Sequence, residues 1–201
     1  VSLTIGIISV GIGLLCGGSL GVLAAYYGGL AETAIMRIID ILMAIPSIIL
    51  SISICAALGS GIVNTMIAVG ISSIPTYARV FRSAVISEKS KEYIEASKAV
   101  GAGNARIILR HILPNSLAPV IVQASLGVAQ AITTAASLSF IGLGIQPPNP
   151  EWGALLSGGR QYIRDYPHMV VYPGIAIMLT VLALNLIGDG LRDALDPRLK
   201  R

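Results

Sequence analysis

Ile41 to Ala78, ILMAIPSIILSISICAALGSGIVNTMIAVGISSIPTYA, is a run of 38 residues without one Asp, Glu, Lys or Arg. A helix rises about 1.5 Å per residue, so roughly 20 apolar residues cross the ~30 Å hydrocarbon core of a bilayer. This run is nearly twice that length, and Gly59-Ser60-Gly61 at its middle supplies a tight turn. It predicts a helical hairpin with crossings over about 35–58 and 62–84. Three further uncharged spans flank it, at 1–31, 111–150 and 166–188. The first and last hold one crossing each. The middle one holds a crossing over about 116–140 and then Gly142-Leu-Gly-Ile-Gln-Pro-Pro-Asn-Pro150, which cannot continue a helix. The expected fold is all-α, a polytopic transmembrane bundle with five membrane-spanning helices in 1–201 as a single domain. Barrel strands would alternate polar and apolar residues over about ten positions. These runs are apolar on every side.

Composition agrees. Of 201 residues, 54% are hydrophobic and only 12% charged, with a mean hydropathy of +0.80; a soluble domain carries about a quarter charged residues. Aromatics are 5% against 22 glycines, the balance expected where small residues let helices pack closely in lipid. Cys16 and Cys55 both sit inside apolar runs, which leaves neither a disulfide framework nor a cysteine metal site. The chain starts at Val1 with no basic segment ahead of its first apolar run. That is not the pattern of a signal peptide, and the expectation is of a fragment or processed form.

Lysine and arginine set the orientation. Five crossings put Arg37, the 79–110 segment and the tail from Arg192 on one side, which collects 12 of the 14 basic residues; only Arg160 and Arg164 lie opposite. The 85–115 loop and the C-terminus are therefore expected in the cytoplasm, and the 141–167 segment outside. Topology accounts for the net charge of +4 without a nucleic-acid partner.

The one long polar insertion is Ser87-Glu-Lys-Ser-Lys-Glu-Tyr-Ile-Glu-Ala-Ser-Lys-Ala-Val100, then Gly101-Ala-Gly-Asn104, then Ala105-Arg-Ile-Ile-Leu-Arg-His-Ile-Leu-Pro-Asn115. Its charges recur at helical spacing and can pair as Glu88–Lys91, Lys91–Glu95 and Glu95–Lys98. Tyr93, Ala96, Ala99 and Val100 form a small apolar face. Gly101 and Gly103 break the helix, Asn104 is placed to cap the next one, and Pro114 ends it. Two short amphipathic helices are predicted between two crossings. The residues alone leave two readings open: a loop lying among lipid headgroups, or a docking element for a soluble partner.

Glu95-Ala-Ser with Gly101 six residues after the glutamate, and His111-Ile-Leu-Pro-Asn115 closing the loop, resemble the EAA motif of binding-protein-dependent ABC importer permeases. Arg37-Ile-Ile-Asp-Ile-Leu-Met-Ala-Ile-Pro46, Leu138-Ser-Phe-Ile-Gly-Leu-Gly-Ile-Gln-Pro-Pro-Asn-Pro-Glu-Trp-Gly153 and Asn185-Leu-Ile-Gly-Asp-Gly-Leu-Arg-Asp-Ala-Leu-Asp-Pro-Arg198 resemble its dipeptide, oligopeptide and nickel branch, in the C-subunit type. Ser97 stands where many members have alanine. The resemblance implies an inner-membrane permease subunit, with a first crossing upstream that this chain lacks. It implies a second permease subunit, two ATP-binding cassette subunits and an extracytoplasmic substrate-binding protein as partners. Glu95, Ala96, Ser97, Gly101, His111, Pro114 and Asn115 would form the ATPase-docking loop. Glu151, Trp152, Arg160 and Arg164, on the external face, would meet the binding protein. No Gly-x-x-x-x-Gly-Lys-Ser/Thr loop and no Gly-Lys pair occurs, so ATP and Mg would be bound by the partner subunits and no cofactor by this chain.

Asp40 lies near the cytoplasmic end of the second crossing, three residues from Arg37. An ionisable group there is expected to be paired or functional, and a structural Arg37–Asp40 pair is the preferred reading over a proton-coupling carboxylate. Pro46 and Pro75 are expected to kink their crossings. An intramembrane aspartyl protease needs two carboxyls in one site, and Asp189 opens a charged tail too close to the membrane surface to join Asp40. An ion-coupled transporter would show an internal repeat with paired broken helices, which is absent here. His111 and His168 fall on opposite sides, so no metal site is expected. The crossings offer Ala, Gly, Ser, Ile and Val with few fixed polar groups, which fits a permissive conduit for peptides better than for nickel.

Overall fold

The computed structural model describes residues 1–195. The expected basic tail, Arg198, Lys200 and Arg201, lies outside the described residues, as does the end of the 185–198 motif. Among the described residues the secondary structure is helical: α1 (Ser2–Tyr27), α2 (Gly29–Met43), α3 (Ser47–Leu58), α4 (Ile62–Lys89), α5 (Glu92–Ala99), α6 (Asn104–Arg106), a π-helical stretch (Ile107–Ile112), α7 (Leu113–Asn115), α8 (Leu117–Phe140), α9 (Trp152–Gly159), a 3-10 turn (Arg160–Tyr162) and α10 (His168–Leu195).

The bundle is organised around α1 and α4, which run parallel in close contact. Glycine makes the contact: a Cβ at Gly17 or Gly21 would fall inside van der Waals distance of the α4 backbone at Ile74 or Ala78. Backbones this close gain dispersion contacts along the whole seam, the usual source of helix association in lipid. α8 runs antiparallel across them, with Gly6 against Val128 and Ile132, and α10 packs on α8 through Gly188. Two cores result. One joins Ile5, Val10, Met66, Tyr77, Ala131 and Leu138 through the middle of the bundle; the other joins Val22, Phe81, Val85, Ile94, Ile107 and Ile112 at one end.

Cross-links sort the loops to two ends of the bundle. Ser2 donates to Glu151 and the Gly61 N–H to the Gly144 carbonyl (3.1 Å), so the chain start, the 59–61 turn and the 141–151 segment share one end. Lys89 and Asn104 both bond Tyr26, which puts the 85–115 loop at the other.

The count of crossings differs from the expected five. α1, α8 and α10 are each long and apolar enough to cross a membrane. The crossing expected over 35–58 is broken: α2 and α3 meet at an 85° bend and make a fourth only if the bent pair is one span. Pro46 is the cause, because it cannot donate the hydrogen bond that would carry α2 into α3. α4 has the length, 28 residues, but Arg79, Arg82, Glu88 and Lys89 dilute its apolar character. Pro75, by contrast, is buried inside a helix that continues through it.

Candidate functional site

The 85–115 loop is a built structure. α5 ends at Ala99, and the chain turns at Gly101, whose φ of +83° is a left-handed conformation. A Cβ there would meet nothing within 4 Å, so the backbone conformation, not space, requires glycine. Its N–H donates to Lys98 and that of Ala102 to Ser97 (2.9 and 3.1 Å), satisfying carbonyls at the helix end. Asn104 does not cap the return helix: Gly103 occupies that position, and the Asn104 side-chain oxygen Oδ1 accepts from the Tyr26 hydroxyl at 2.8 Å. The π stretch ends at Ile112, two residues before Pro114, where α-helical bonding loses a donor, and Pro114 does not end the helical path, which continues to Asn115 before turning at Ser116.

Ile94, Ile107 and Ile112 are fully buried against α1 and α4. Of the apolar face expected from Tyr93, Ala96, Ala99 and Val100, the last three are turned away from the bundle, and Val100 is 83% exposed. Glu95, Ala96, Lys98 and Ala99 are exposed beside it, while Ser97 is half-buried and donates back to the Tyr93 carbonyl. Of the three expected charge pairs, Glu88–Lys91 forms at 2.7 Å; among the described residues neither pair with Glu95 does. His111 packs edge-on to Tyr93, and Asn115 donates to the His111 carbonyl and the Tyr93 hydroxyl (2.6 and 3.3 Å). Pro114 is exposed.

The Arg37–Asp40 pair is not formed. Asp40 accepts from Arg79 on α4 at 2.6 Å, and Glu32 is paired with Arg82, whose Nε lies at 2.8 Å. The bend at Pro46 turns α2 so that its carboxylates meet the guanidinium groups of α4, and Arg37 is left exposed. Asp40 thus faces an arginine rather than a second carboxyl group.

At the other end, Glu151 is only 2% exposed, which removes it from the surface contacts. It caps α9, accepting from the Ala154 N–H at 2.9 Å, and also accepts from the Ser2 hydroxyl at 3.4 Å. Its place just before a helix start, where N–H groups lack partners, is the physical reason. Trp152 is half-buried; Arg160, lying 5.9 Å over the Phe140 ring, and Arg164 remain exposed.

Between α1, α4, α8 and α10 lies a cavity of about 410 Å³, lined by Ser72, Ser73, Thr76, Gln123, Gln130 and Asn185 among others. The expectation of few fixed polar groups fails here. Its signal was in the sequence: Gln123 and Gln130 are seven residues apart, two helical turns on one face, and polar groups inside membrane helices turn to cavities. Ser72 and Ser73 donate to their own helix, while the amides of Gln123, Gln130 and Asn185 have no hydrogen-bond partner among the described residues.

Comparison with known proteins follows the same lines. Residues 17–201 match the family described as binding-protein-dependent transport system inner membrane component. A dipeptide transport system permease protein of Alkalihalophilus pseudofirmus is 53% identical over 199 residues, covering 99% of this chain and 66% of that protein. A glutathione transport system permease protein of Pectobacterium atrosepticum is 50% identical over 200 residues, 100% of this chain and 66% of its own length. A di/tripeptide transport system permease protein of Pseudomonas aeruginosa is 50% identical with the same 66% covered. The chain thus spans just under two thirds of the length of these curated relatives. Among solved structures, the inward-facing MetNI methionine ABC transporter superposes with a TM-score of 0.77 at 21% identity over 97% of this chain and 93% of that one. An amino acid ABC transporter gives 0.65 at 16%, over 98% and 90%. At these identities the likeness is one of fold.

Proposed function

The chain belongs to the binding-protein-dependent transport system inner membrane component family, and from that premise we propose that it is a permease subunit of an ATP-driven importer of dipeptides and oligopeptides. The observation that carries the reading is the uncovered face of α5. Glu95, Ala96, Ala99 and Val100 project from a loop whose other side is anchored on the fully buried Ile94, Ile107 and Ile112. Such a face has the form of a lever: small residues admit close approach by a partner, Glu95 meets a cation on it, and the isoleucine anchor carries its movement into the bundle. The loop of 85–115 docks an ATP-binding cassette subunit in the cytoplasm, where ATP and Mg are held by that partner. Two such subunits and a second permease complete the transporter in the inner membrane. The 141–167 segment faces outward, and Trp152, Arg160 and Arg164 there meet an extracytoplasmic binding protein. The 410 Å³ cavity forms part of the conduit. Its lining is uncharged and rich in amides and hydroxyls, which suits solutes with peptide groups and variable side chains; the printed names of the relatives, dipeptide, di/tripeptide and glutathione permeases, are all of short peptides.

Gly101→Asp tests the docking. A non-glycine residue in the left-handed region costs roughly 1–2 kcal/mol and adds a carboxylate beside the docking face. In proteoliposomes with its partners the variant inserts and pairs with the second permease but loses peptide uptake together with ATPase attachment. Uptake at the wild-type rate overturns the assignment.

A further inference from the structure

Glu88 is 5% exposed at the last turn of α4, the end of a helix that disfavours negative charge. Glu151, the other buried carboxylate among the described residues, has the ordinary task of an N-cap. Glu88 has none of that kind, and a buried carboxylate persists only where several groups satisfy it. Lys91 reaches its Oε2 at 2.7 Å and the Tyr93 hydroxyl donates to its Oε1. Tyr93 in turn accepts from Asn115 Nδ2, which also donates to the His111 carbonyl. Partial burial and the adjoining Glu88 carboxylate push the Tyr93 phenol up to about 12, so its hydroxyl keeps its proton and remains a donor at physiological pH.

Resting on the docking reading above, we propose that the Glu88–Tyr93–Asn115 chain of hydrogen bonds fixes the angle of the docking helix and carries its movement into α4 and α8, with Glu88 as the positioning residue. Each link joins a different element: Glu88 lies in the last turn of α4, Tyr93 in α5, and Asn115 ends α7, separated from α8 by Ser116 alone. Without the chain, α5 would be tied to the bundle by Ile94 and by the backbone turns at its two ends. Both helices at the receiving end line the polar cavity, α4 through Ser72 and Ser73 and α8 through Gln123 and Gln130. A parallel tie runs to α1, where Lys89 donates to the Tyr26 and Ala25 carbonyls (2.6 and 3.2 Å) and Tyr26 to Asn104. Glu88 is too buried to touch the ATPase itself.

Two variants test the chain in the assembled transporter. Glu88→Gln keeps the shape and removes the ion pair with Lys91; Tyr93→Phe keeps the ring and removes both hydrogen bonds. ATP hydrolysis and peptide uptake are measured on the same proteoliposomes. Uptake per ATP hydrolysed falls at least about fivefold in each variant, the lower end of usual coupling between sites, while ATPase docking persists. The double variant falls no further, because the groups act as one unit. A merely structural role lowers the amount of complex and leaves that ratio unchanged, and an unchanged ratio in both variants overturns the proposal. A spin label at position 100, in a Cys16→Ala background, reads the angle without relying on transport: its mobility rises in Glu88→Gln and in Tyr93→Phe. Unchanged mobility in both also overturns it. Failure of the wild-type complex to take up peptide with ATP overturns the functional reading instead, and leaves the label to decide on the hydrogen-bond chain.

Discussion

The seam between α1 and α4 yields a prediction in which one helix gives opposite signs six residues apart. A Cβ at Gly21 would lie 3.0 Å from the Ala78 carbonyl carbon and from Phe81 Cβ, and one at Gly17 would lie 3.1 Å from the Ala78 nitrogen and Tyr77 Cβ. In each case an α4 carbonyl oxygen, of Ala78 or Ile74, is closer still. Carbon atoms prefer about 3.5–4.0 Å, and the blocking atoms are backbone, so the two helices must part. Gly11, on the same helix, would meet nothing within 4 Å. Any Gly→Ala within a helix gains roughly 0.8–1 kcal/mol of propensity, and Gly11→Ala measures that gain alone. Gly17→Ala and Gly21→Ala carry the same gain against an overpacking cost of about 1–3 kcal/mol. For a chain of this size that separates their melting temperatures from that of Gly11→Ala by roughly 2–12 °C. The double variant loses less than the sum, because one opened seam accommodates both methyls. Thermal unfolding of the assembled transporter in detergent reads the series. If Gly17→Ala and Gly21→Ala melt at or above Gly11→Ala, the close seam is not what holds α1 to α4.

Two further outcomes concern function. Asp40→Arg or Arg79→Asp alone should impair uptake, and the double exchange should restore part of it, whereas Arg37→Asp should leave uptake near wild type. The exposed pair contributes only ~0.2–1 kcal/mol to stability, so all four variants fold, and a restored Arg37→Asp/Asp40→Arg protein would contradict the α2–α4 pairing. Gln123→Leu and Gln130→Leu remove amide partners worth about 0.5–1.5 kcal/mol each, so peptide uptake should slow roughly two- to tenfold with ATPase attachment intact; uptake at full rate places the conduit elsewhere.

Elements that depend on local patterns were legible in the sequence. The turn at Gly59–Gly61, the helix over 117–140, the non-helical Gly/Pro stretch and the break at Gly101 all follow from residues within a few positions of each other. The family was legible as well, because its motifs are local strings. Elements that depend on distant partners were not. Pro46 signalled a lost hydrogen bond but not an 85° bend, since the angle is set by what α2 packs against. Asp40 sits at helical spacing from Arg37, yet its partner is 39 residues away. Glu151 stands among the Trp, Tyr and Arg of a segment expected to face outward, a composition that marks a surface, and only its position before α9 betrays a cap. Which side of α5 meets the bundle was not legible, for a related reason. A short helix with apolar residues on two sides does not declare which side meets its own protein, and Ile94 wins because Ile107 and Ile112 return to meet it.

The side that is buried bears on mechanism. A loop that buried Ala96, Ala99 and Val100 against its own bundle would have nothing small and apolar left to offer a partner. By burying Ile94 the chain frees that face and gains a firm attachment at the same time. The firmness is unevenly distributed. The glycine seam and the Lys89–Tyr26–Asn104 contacts bind α1, α4 and the loop into one body. α2 buries only Ile39, and α3 only Ser51 and Cys55, with Pro46 between them and the two ion pairs to α4 as their main polar ties. Exposed ion pairs break and reform at little cost, whereas backbones in van der Waals contact do not part without losing the whole contact. The α2–α3 elbow is therefore held more loosely than the α1–α4 seam, and its Ser47 lines the polar cavity.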